Sequence, residues 1–556
     1  MSERHRSVFA AAALLLITGA AYAGIVQCGF IWDDDLRVSE NPTLRSLAGL
    51  RRIWFELASN KQYYPLVFTS FWIEYQLWGA NPLGYHLVNL LLHGIGAVLL
   101  WRTLLALGVP GAWLAAAVFA VHPVHVESVA WISERKNVLS GAFYLASALA
   151  YLRHAGEPGG GEPGSRWLYP ASLALFLCAL LAKTVTCTLP AALLLARWWK
   201  NGFVERRDVL ALVPFFGLGI GLGLTTVWLE RHAVGASGAD WDFSFLDRCA
   251  IAGRALWFYL GKLGWPEPLI FIYPRWNLDA GAPWQYLYPL AALAAVVGLW
   301  LLRHRLGRGP LASWLFFAGT LFPALGFFDV YPMRFSFVAD HFQYLASIGP
   351  IALAAGAVGA SVQHLGVAGR PAAWVCAALM LATLGTLTAR RIPAYQGLES
   401  LWLDTVRQNP GSYLAHHSLA DLLRQRGEID AAIRHYEASI EAAPELSTAH
   451  NNLAGLLAGR GETQAAIEHY RRAVEMQPDH ALAHRNLAEL LLYQGEIEEA
   501  IRHLREAVRI APDQAELQNA LAQALARAGR PDEAHPHFVA ARRLAREAAR
   551  ARRESR

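Results

Sequence analysis

About eleven apolar segments, each close to the length that spans a bilayer, fill the first 391 residues of this 556-residue chain. A helix needs about 20 apolar residues to cross the hydrocarbon core, where unpaired backbone groups are not tolerated. The sequence therefore predicts an all-α fold with a polytopic transmembrane bundle over residues 1–391. The predicted spans are residues 8–27, 84–105, 111–128, 136–152, 168–183, 184–199, 209–229, 284–302, 311–328, 342–362 and 372–389.

Basic residues indicate which loops are cytoplasmic, because short cytoplasmic loops are rich in Lys and Arg. We place the N-terminus in the cytoplasm. Most basic loop residues then lie in the cytoplasm only if segment 248–265 does not cross the membrane and lies at its outer surface. The chain after residue 391 is then extracytoplasmic, in the periplasm of an inner-membrane protein, although Arg390 and Arg391 fall on the outer side. A twelve-span alternative puts that part in the cytoplasm.

The first segment also has features of a cleaved signal peptide, with a basic start and Ala21-Tyr22-Ala23 after the apolar run. The run is long for that purpose, and further spans follow, which favours an uncleaved helix. In either case the residues after Gln27 are expected outside the cytoplasm.

The last 150 residues or so have a different composition and repeat with a period of 34 residues, since all 20 Trp and all five Cys lie at or before position 402. This period is typical of tetratricopeptide (TPR) helix pairs, which bury their apolar stripes by stacking. We predict a linker and capping helix over 392–411, repeats at 412–445, 446–479, 480–513 and 514–547, and a basic tail at 548–556. The recurring positions are Pro410, Pro444, Pro478 and Pro512; Gly427, Gly461, Gly495 and Gly529; and Leu419, Leu453, Leu487 and Leu521.

Asn452 and Asn486 occupy equivalent positions in the first helices of successive repeats. Their surroundings, AHNNLA and AHRNLA, resemble the TPR array of a nuclear O-GlcNAc transferase, in which such Asn residues hold peptide backbone. An amide can donate and accept, so it can bind a backbone without reading side chains. The alternative is that these are tolerated polar positions, since the first and fourth repeats have Ser418 and Ala520 there.

The acidic run Asp33-Asp34-Asp35 follows the first span and begins a long aromatic loop, residues 28–80. Carboxylates at a membrane boundary are costly unless they are solvated or functional. We expect Asp34 to be a general base, with Asp33 orienting it or the acceptor.

A second polar cluster, HPVHVESVAWISERK, lies at the outer junction of the third and fourth predicted spans. Its candidate substrate-binding residues are His122, His125, Glu127, Arg135 and Lys136. Metal ligation is an alternative, but His-x-x-His-x-Glu is not a standard zinc spacing. Interfacial pairing is another.

A third outer cluster, YPMRFSFVADHFQY, adds Arg334, Asp340 and His341. Together these loops offer acids and cations to one chamber. This combination suits attack of an acceptor hydroxyl on a sugar carried by a lipid phosphate, with a carboxylate taking the proton and cations holding the phosphate.

The collinear motifs FIWDDD, YYPLVFTSFWIEYQLWGANPLGYHLVNLLLH, HPVHVESVAWISERKNVLS and YPRWNL, followed by the repeats, resemble the transmembrane-and-TPR family of protein O-mannosyltransferases. The resemblance implies a GT-C fold, an inverting mechanism and a polyprenyl-phosphate mannose or other hexose as donor, with no tightly bound cofactor and no favoured metal. It also implies an essential acidic pair at Asp33 and Asp34, and a basic residue at Arg135.

Two positions depart from the pattern of the eukaryotic members. Tyr64 stands where an Arg is usual, and Glu134-Arg135-Lys136-Asn137 replaces a Gly-Arg-Ala-Asp-like sequence. The Ala- and Arg-rich composition suggests a bacterial version with a bacterial polyprenol carrier. The expected partners are the lipid-linked sugar and an acceptor protein bound by the repeats, without nucleic acid.

Two alternatives remain at this point. One is a non-catalytic membrane scaffold, because TPRs are binding modules. The other is an O-antigen ligase or oligosaccharyltransferase, although the longest outer loop comes first here and not late in the membrane domain.

Overall fold

A computed structural model describes residues 2–57, 59–156, 164–236, 238, 241–279, 281–365 and 369–554. The chain forms two compact units, Met1–Asp404 and Thr405–Arg556. Regular structure in the described residues is helical, as predicted. The first unit extends beyond the predicted boundary at residue 391, because Arg391 pairs with Asp404 at 2.5 Å. The last two residues of the predicted basic tail lie outside the described part.

The first unit contains sixteen helices and the start of a seventeenth among the described residues. They are α1 Glu3–Ala21, α2 Leu47–Phe55, α3 Pro65–Trp78, α4 Pro82–Ala106, α5 Ala112–Val121, α6 Val126–Ala130, α7 Arg135–His154, α8 Leu168–Ala182, α9 Leu189–Asn201, α10 Arg206–Leu229, α11 Phe245–Gly264, α12 Leu287–Leu301, α13 Arg303–Leu306, α14 Gly309–Leu321, α15 Ile348–His364, α16 Gly369–Arg391 and α17 Leu398–Gln408.

Every predicted span overlaps one of these helices, but the helices differ in length. Four stretches in the described part are long and apolar enough to cross a bilayer: Pro82–Ala106, Arg206–Val234, Pro283–Leu301 and Gly369–Tyr395. A fifth candidate, Ala112–Val121 with Pro123–Ala130, is bent by 56°. Pro123 explains the bend, because proline has no N–H to donate and restricts the residue before it. The number of crossings therefore stays a prediction.

The long loop predicted at residues 28–80 folds around α2 and α3. Its core contains Tyr64, Phe68 and Phe71, which pack with Tyr85 of α4 and Ile132 of the second polar motif. Trp54 Nε1 donates to Thr69 Oγ1 at 3.0 Å and joins the two helices. The aromatic residues of this loop thus build a small core that attaches the first polar motif to the second.

Segment 248–265, predicted to lie at the outer surface, belongs to the single helix α11. A reciprocal capping box of Ser244 and Asp247 begins the helix. Its buried face, which includes Ala255 and Tyr259, packs with Phe317 of α14. Arg254 lies 4.4 Å above the ring of Trp276, so its charge is covered by an aromatic face.

The second unit consists of four antiparallel helix pairs after the end of α17, which confirms the predicted repeats. Glycine ends the first helix of each pair in the left-handed region, with φ between 74° and 86° at Gly427, Gly461, Gly495 and Gly529. The pairs are α18 Tyr413–Gln425 and α19 Ile429–Ala442, α20 Ser447–Gly459 and α21 Thr463–Met476, α22 Ala481–Gln494 and α23 Ile497–Ile510, and α24 Ala515–Arg527 and α25 Pro531–Glu554.

Candidate functional site

The acidic run places its first two carboxylates in different environments. Asp34 is fully buried and accepts hydrogen bonds from Ile31 N at 3.0 Å, Ser133 N at 2.8 Å and Ser133 Oγ at 2.6 Å. Burial, and then the charge of Asp33, raise the pKa of Asp34 to about 7. The three hydrogen-bond donors lower this pKa because they stabilise the carboxylate, but they do not outweigh burial. Asp34 therefore holds the first loop to the second polar motif.

Asp33 is more accessible than Asp34 and lines a cavity. Its Oδ2 accepts from Arg37 Nε at 2.5 Å, and Arg37 in turn donates to Gln62 Oε1 at 2.9 Å. Among the described residues, no hydrogen-bond donor reaches Asp33 Oδ1. Asp33 Oδ2 is thus oriented by an arginine, while Oδ1 is a buried atom without a hydrogen-bond partner among the described residues.

The cavity at Asp33, here called the polar chamber, has a volume of about 470 Å³. Its wall combines acids, cations, amides and aromatic rings, a combination typical of a site for a polar ligand. The polar lining residues include Asp33, Arg37, Asn41, Asn60, Gln62, Glu127, Glu134, Lys136 and His341, and the aromatic ones include Trp32, Trp131, Phe271, Tyr331 and Phe335.

Glu134 is the centre of a buried charge cluster in the chamber wall. Lys136 Nζ lies 2.7 Å from Glu134 Oε1, and Lys183 Nζ lies 3.4 Å from Oε2. His341 Nε2 lies 3.8 Å from Glu134 Oε1, while His341 Nδ1 lies 3.0 Å from Glu127 Oε1. Burial would raise the pKa of Glu134, but His341 and the two lysines outweigh it and hold that pKa well below its usual range.

A second cavity, here called the apolar groove, has a volume of about 410 Å³ and shares lining residues with the polar chamber. Both are lined by Gln62, Lys136, Pro332 and His341, so they adjoin there. Lys183 also lines the groove. The remaining wall is mostly apolar and includes Val185, Ile220, Leu224, Val227, Phe322 and Phe328. The apolar groove thus adjoins the polar chamber next to Lys136, Lys183 and His341.

Asp340 lies behind this cluster and accepts from Tyr273 Oη at 2.9 Å. Burial, and then the charge of Glu127, raise the pKa of Asp340 to about 8. The neighbouring Glu127 is already bonded to both the backbone N and the ring of His341. The raised pKa favours the protonated form of Asp340, and its bond to Tyr273 helps to fix the turn that carries His341.

Arg135, expected to bind phosphate, is fully buried away from both cavities. It forms an ion pair with Glu74 and bonds to Asn89, to Ser70 Oγ at 3.1 Å and to Tyr85 O at 2.9 Å. All parts of its guanidinium are engaged, so Arg135 holds α3 and α4 to the second polar motif.

The other expected ligands also divide into two groups. His341, Lys136 and Glu127 line the polar chamber. His122 and His125 do not: each binds a backbone carbonyl, at Leu263 and Phe119, and neither lines a cavity described above. Arg334 ends a short turn, Tyr331–Arg334, beside the chamber and is not part of its lining.

Arg37, Gln62 and Lys183 are site residues that the sequence reasoning missed. Lys183 stands alone in the apolar run ALLAKTVTC, and a lone charge at such a place is a functional signal in itself. Nothing in the local sequence distinguishes Arg37 or Gln62 from surface residues. Their role depends on the fold of the first loop.

In the repeats, Asn452 and Asn486, which were expected to hold peptide backbone, belong to a chain of side-chain hydrogen bonds. Asn486 donates to Asn451 at 3.0 Å, Asn451 donates to Asn452 at 3.0 Å, and Asn452 lies 3.4 Å from Asp421 Oδ1. Each amide keeps capacity for a further partner, but the chain also links successive repeats to one another.

Comparison with known proteins supports the same two-part organisation. A tetratricopeptide-repeat family profile matches residues 412–479, 445–513 and 479–547. Among solved structures, MamA is 21% identical over 27% of this chain and 87% of that chain, with a TM-score of 0.26, and is too distant to carry an argument. Apolar helices and TPRs thus define a membrane protein with a C-terminal repeat array.

The curated relatives of the chain are protein O-mannosyl-transferases, as the motifs indicated. Human TMTC1 is 27% identical over 495 residues, which cover 78% of this chain and 55% of TMTC1. Human TMTC3 is 31% identical over 179 residues, 30% of this chain and 19% of TMTC3, and human TMTC2 is 27% identical over 47% of this chain and 34% of TMTC2. The chain thus spans about half or less of each relative.

Proposed function

We propose that the protein is an integral-membrane glycosyltransferase that moves mannose or another hexose from a polyprenyl-phosphate carrier to a Ser or Thr hydroxyl of an acceptor protein. The names of its relatives support the transferase class. The carrier and the acceptor are proposals from the chemistry of the two cavities.

The observation that carries the proposal is the junction of the apolar groove and the polar chamber at Lys136 and His341. A polyprenyl tail needs an apolar channel, and its phosphate needs cations. Lys136 and Lys183 provide two ammonium groups at that junction, held by Glu134. The sugar then lies in the polar chamber, whose wall includes the amides of Asn60 and Gln62 and the indole of Trp131.

Asp33 is the general base in this proposal, in place of Asp34. The acceptor oxygen attacks C1 of the sugar while the bond from C1 to the phosphate oxygen breaks. The proton of the hydroxyl goes to the carboxylate of Asp33, and the electron pair of the broken bond goes to the phosphate, where the lysines stabilise it. A single displacement inverts the configuration at C1. Asp34 keeps the turn in place and does not touch the substrates.

The repeats bind the acceptor or a partner protein on the extracytoplasmic side. Supporting this, the chain leaves the first unit beside the acidic turn: Gly29 N donates to Gln396 O at 2.9 Å, and Trp402 packs on Trp32 with ring centroids 5.4 Å apart. A cysteine introduced at the exposed Tyr493 tests the orientation. We expect a membrane-impermeant maleimide to label Tyr493→Cys in intact spheroplasts, whereas labelling only after lysis would contradict it.

The activity is tested with the purified full chain in nanodiscs, radiolabelled polyprenyl-phosphate mannose and a mixture of envelope proteins. We expect transfer of label to protein, and transfer reduced by about 10²–10⁴-fold in Asp33→Asn at equal yield. A wild-type protein that neither binds the donor nor transfers its sugar would favour the scaffold alternative. Equal transfer by wild type and Asp33→Asn would remove Asp33 from the mechanism.

A further inference from the structure

A third cavity, here called the basal pocket, lies among α4, α7, α9, α14 and α15 and has a volume of about 480 Å³. It shares no lining residue with the apolar groove or the polar chamber. Leu104, Leu145, Leu193, Phe316 and Ile348 are representative of its wall. Its size falls in the range of about 300–1,000 Å³ typical of ligand pockets.

Two cations lie at the edge of the basal pocket, next to the lining residue Trp199. Lys200 Nζ is 4.3 Å from the centroid of the Trp199 ring, and Arg308 Nη1 donates to Trp199 O at 3.3 Å. Within the described ranges, no carboxylate forms an ion pair with Lys200 or Arg308. The edge therefore carries positive charge that the protein does not neutralise.

The surroundings of these cations are those of a membrane interface. Trp198 stacks on Trp300 with centroids 6.0 Å apart, and Arg303 lies 4.2 Å above Trp300. Tryptophan concentrates at the level of lipid headgroups, and Lys and Arg mark the cytoplasmic side. Basic pockets between transmembrane helices on that side bind anionic headgroups.

We propose that the basal pocket binds an anionic phospholipid, with an acyl chain among α4, α7, α9, α14 and α15 and the phosphate between Lys200 and Arg308. The charge at the edge favours an anionic over a zwitterionic headgroup. The occupant is a phospholipid and not the sugar carrier. The basal pocket shares no lining residue with the polar chamber, so a carrier bound in the pocket would not place its sugar at Asp33. The proposal does not depend on the catalytic one.

The test uses the full chain, delipidated in detergent, and titration with phosphatidylglycerol or phosphatidylcholine followed by native mass spectrometry. We expect tighter binding of phosphatidylglycerol. In Lys200→Gln with Arg308→Gln, its affinity should fall about 30-fold, since each cation near a headgroup contributes about 1 kcal/mol. Arg305→Gln, an exposed cation on the same face, is the matched control and should bind as the wild type does.

A second pair of variants guards against misfolding. Lys200→Arg with Arg308→Lys keeps both charges and should retain binding, while Ala196→Trp fills the cavity and should lose it. Equal affinity for the two phospholipids, unchanged affinity in the double Gln variant, or polyprenyl phosphate as the lipid that remains bound after purification would overturn the proposal.

Discussion

The carboxylate of Asp34 accepts two hydrogen bonds from Ser133, from its backbone N at 2.8 Å and from its Oγ at 2.6 Å, across 99 residues of sequence. This contact joins the acidic turn of the first loop to the second polar motif. It leaves Asp33, one residue earlier, at the wall of the polar chamber. The two adjacent acids thus differ in environment: Asp34 is an anchor, and Asp33 is the general base of the proposed mechanism.

Substitutions in the acidic run should separate these roles. Asp33→Asn should reduce transfer by about 10²–10⁴-fold, the usual contribution of a general base, at unchanged thermal stability. Asp34→Asn should chiefly lower stability, by about 1–3 kcal/mol, because buried donors lose a charged acceptor. Asp35→Asn, whose carboxylate binds Ser39 Oγ, is the control. Radiolabel transfer and thermal unfolding in detergent measure both effects, and equal rate losses in all three variants would contradict the assignment.

Lys136 and Lys183 should matter for the leaving phosphate. Replacing either with Gln should lower kcat by about 10²–10³-fold, as removal of one electrostatic donor does in other enzymes. Single-turnover rates with polyprenyl-phosphate mannose measure the effect. Lys262→Gln, at a lysine of α11 that lines neither cavity, serves as the control and should keep the wild-type rate. A lysine variant with a wild-type rate would exclude that lysine from phosphate stabilisation.

Arg135 should be a stability residue. Arg135→Met leaves Glu74 as an unpaired buried charge and should cost about 3–5 kcal/mol. The double variant Arg135→Met with Glu74→Met removes both charges and should recover much of that loss. Thermal unfolding and the specific activity of the folded fraction distinguish the outcomes. A folded but inactive double variant would indicate that Arg135 binds the substrate.

Trp402 should act on the acidic turn through Trp32. Trp32 adopts a φ of 45°, which is strained for a bulky residue, and is held by Trp131, Phe271 and Trp402. Trp402→Ala should lower kcat more than it raises the KM for donor, since Asp33 follows Trp32 directly. Trp402→Phe should rescue the rate. An unchanged kcat in Trp402→Ala would show that the three other rings that contact Trp32 suffice.

The repeats carry a ladder of histidine pairs with Nδ1 atoms 2.9 Å apart: His416 with His435, His450 with His469, and His484 with His503. The first member of each pair also bonds to a proline carbonyl through Nε2, so only a neutral ring can accept at Nδ1.

Burial lowers the pKa of His450, His469, His484 and His503, and like charges add to the shift at His469 and His503. A lowered folded-state pKa means that these groups stabilise the fold above the unfolded pKa of about 6.5 and that this stability is lost as the pH falls below it. The repeats should therefore be less stable at acidic pH than at neutral pH.

The fourth repeat provides a matched control, because Gln518 Oε1 lies 2.7 Å from His537 Nδ1 and can accept from a charged ring. Changing His416, His450 and His484 to Gln should flatten the pH dependence. Amide hydrogen exchange of the full chain at pH 7 and pH 5 measures it. Glu499 lies 3.9 Å from His503 and favours its charged form, so this contact opposes the effect at one pair. Equal protection of the wild-type repeats at both pH values would rule the effect out.

Local sequence determined the repeats, the apolar helices and the three polar motifs. An apolar span, a 34-residue repeat and a cluster of polar residues can each be recognised from residues that are close together in the sequence. Tertiary structure alone decided that Asp33 and not Asp34 faces the chamber, that Arg135 pairs with Glu74 across 61 residues, and that Lys183 joins Lys136 at Glu134. These choices depend on which helices pack together. Burial and charge pairing between distant segments, and not the spacing of residues in one motif, set the direction of each side chain.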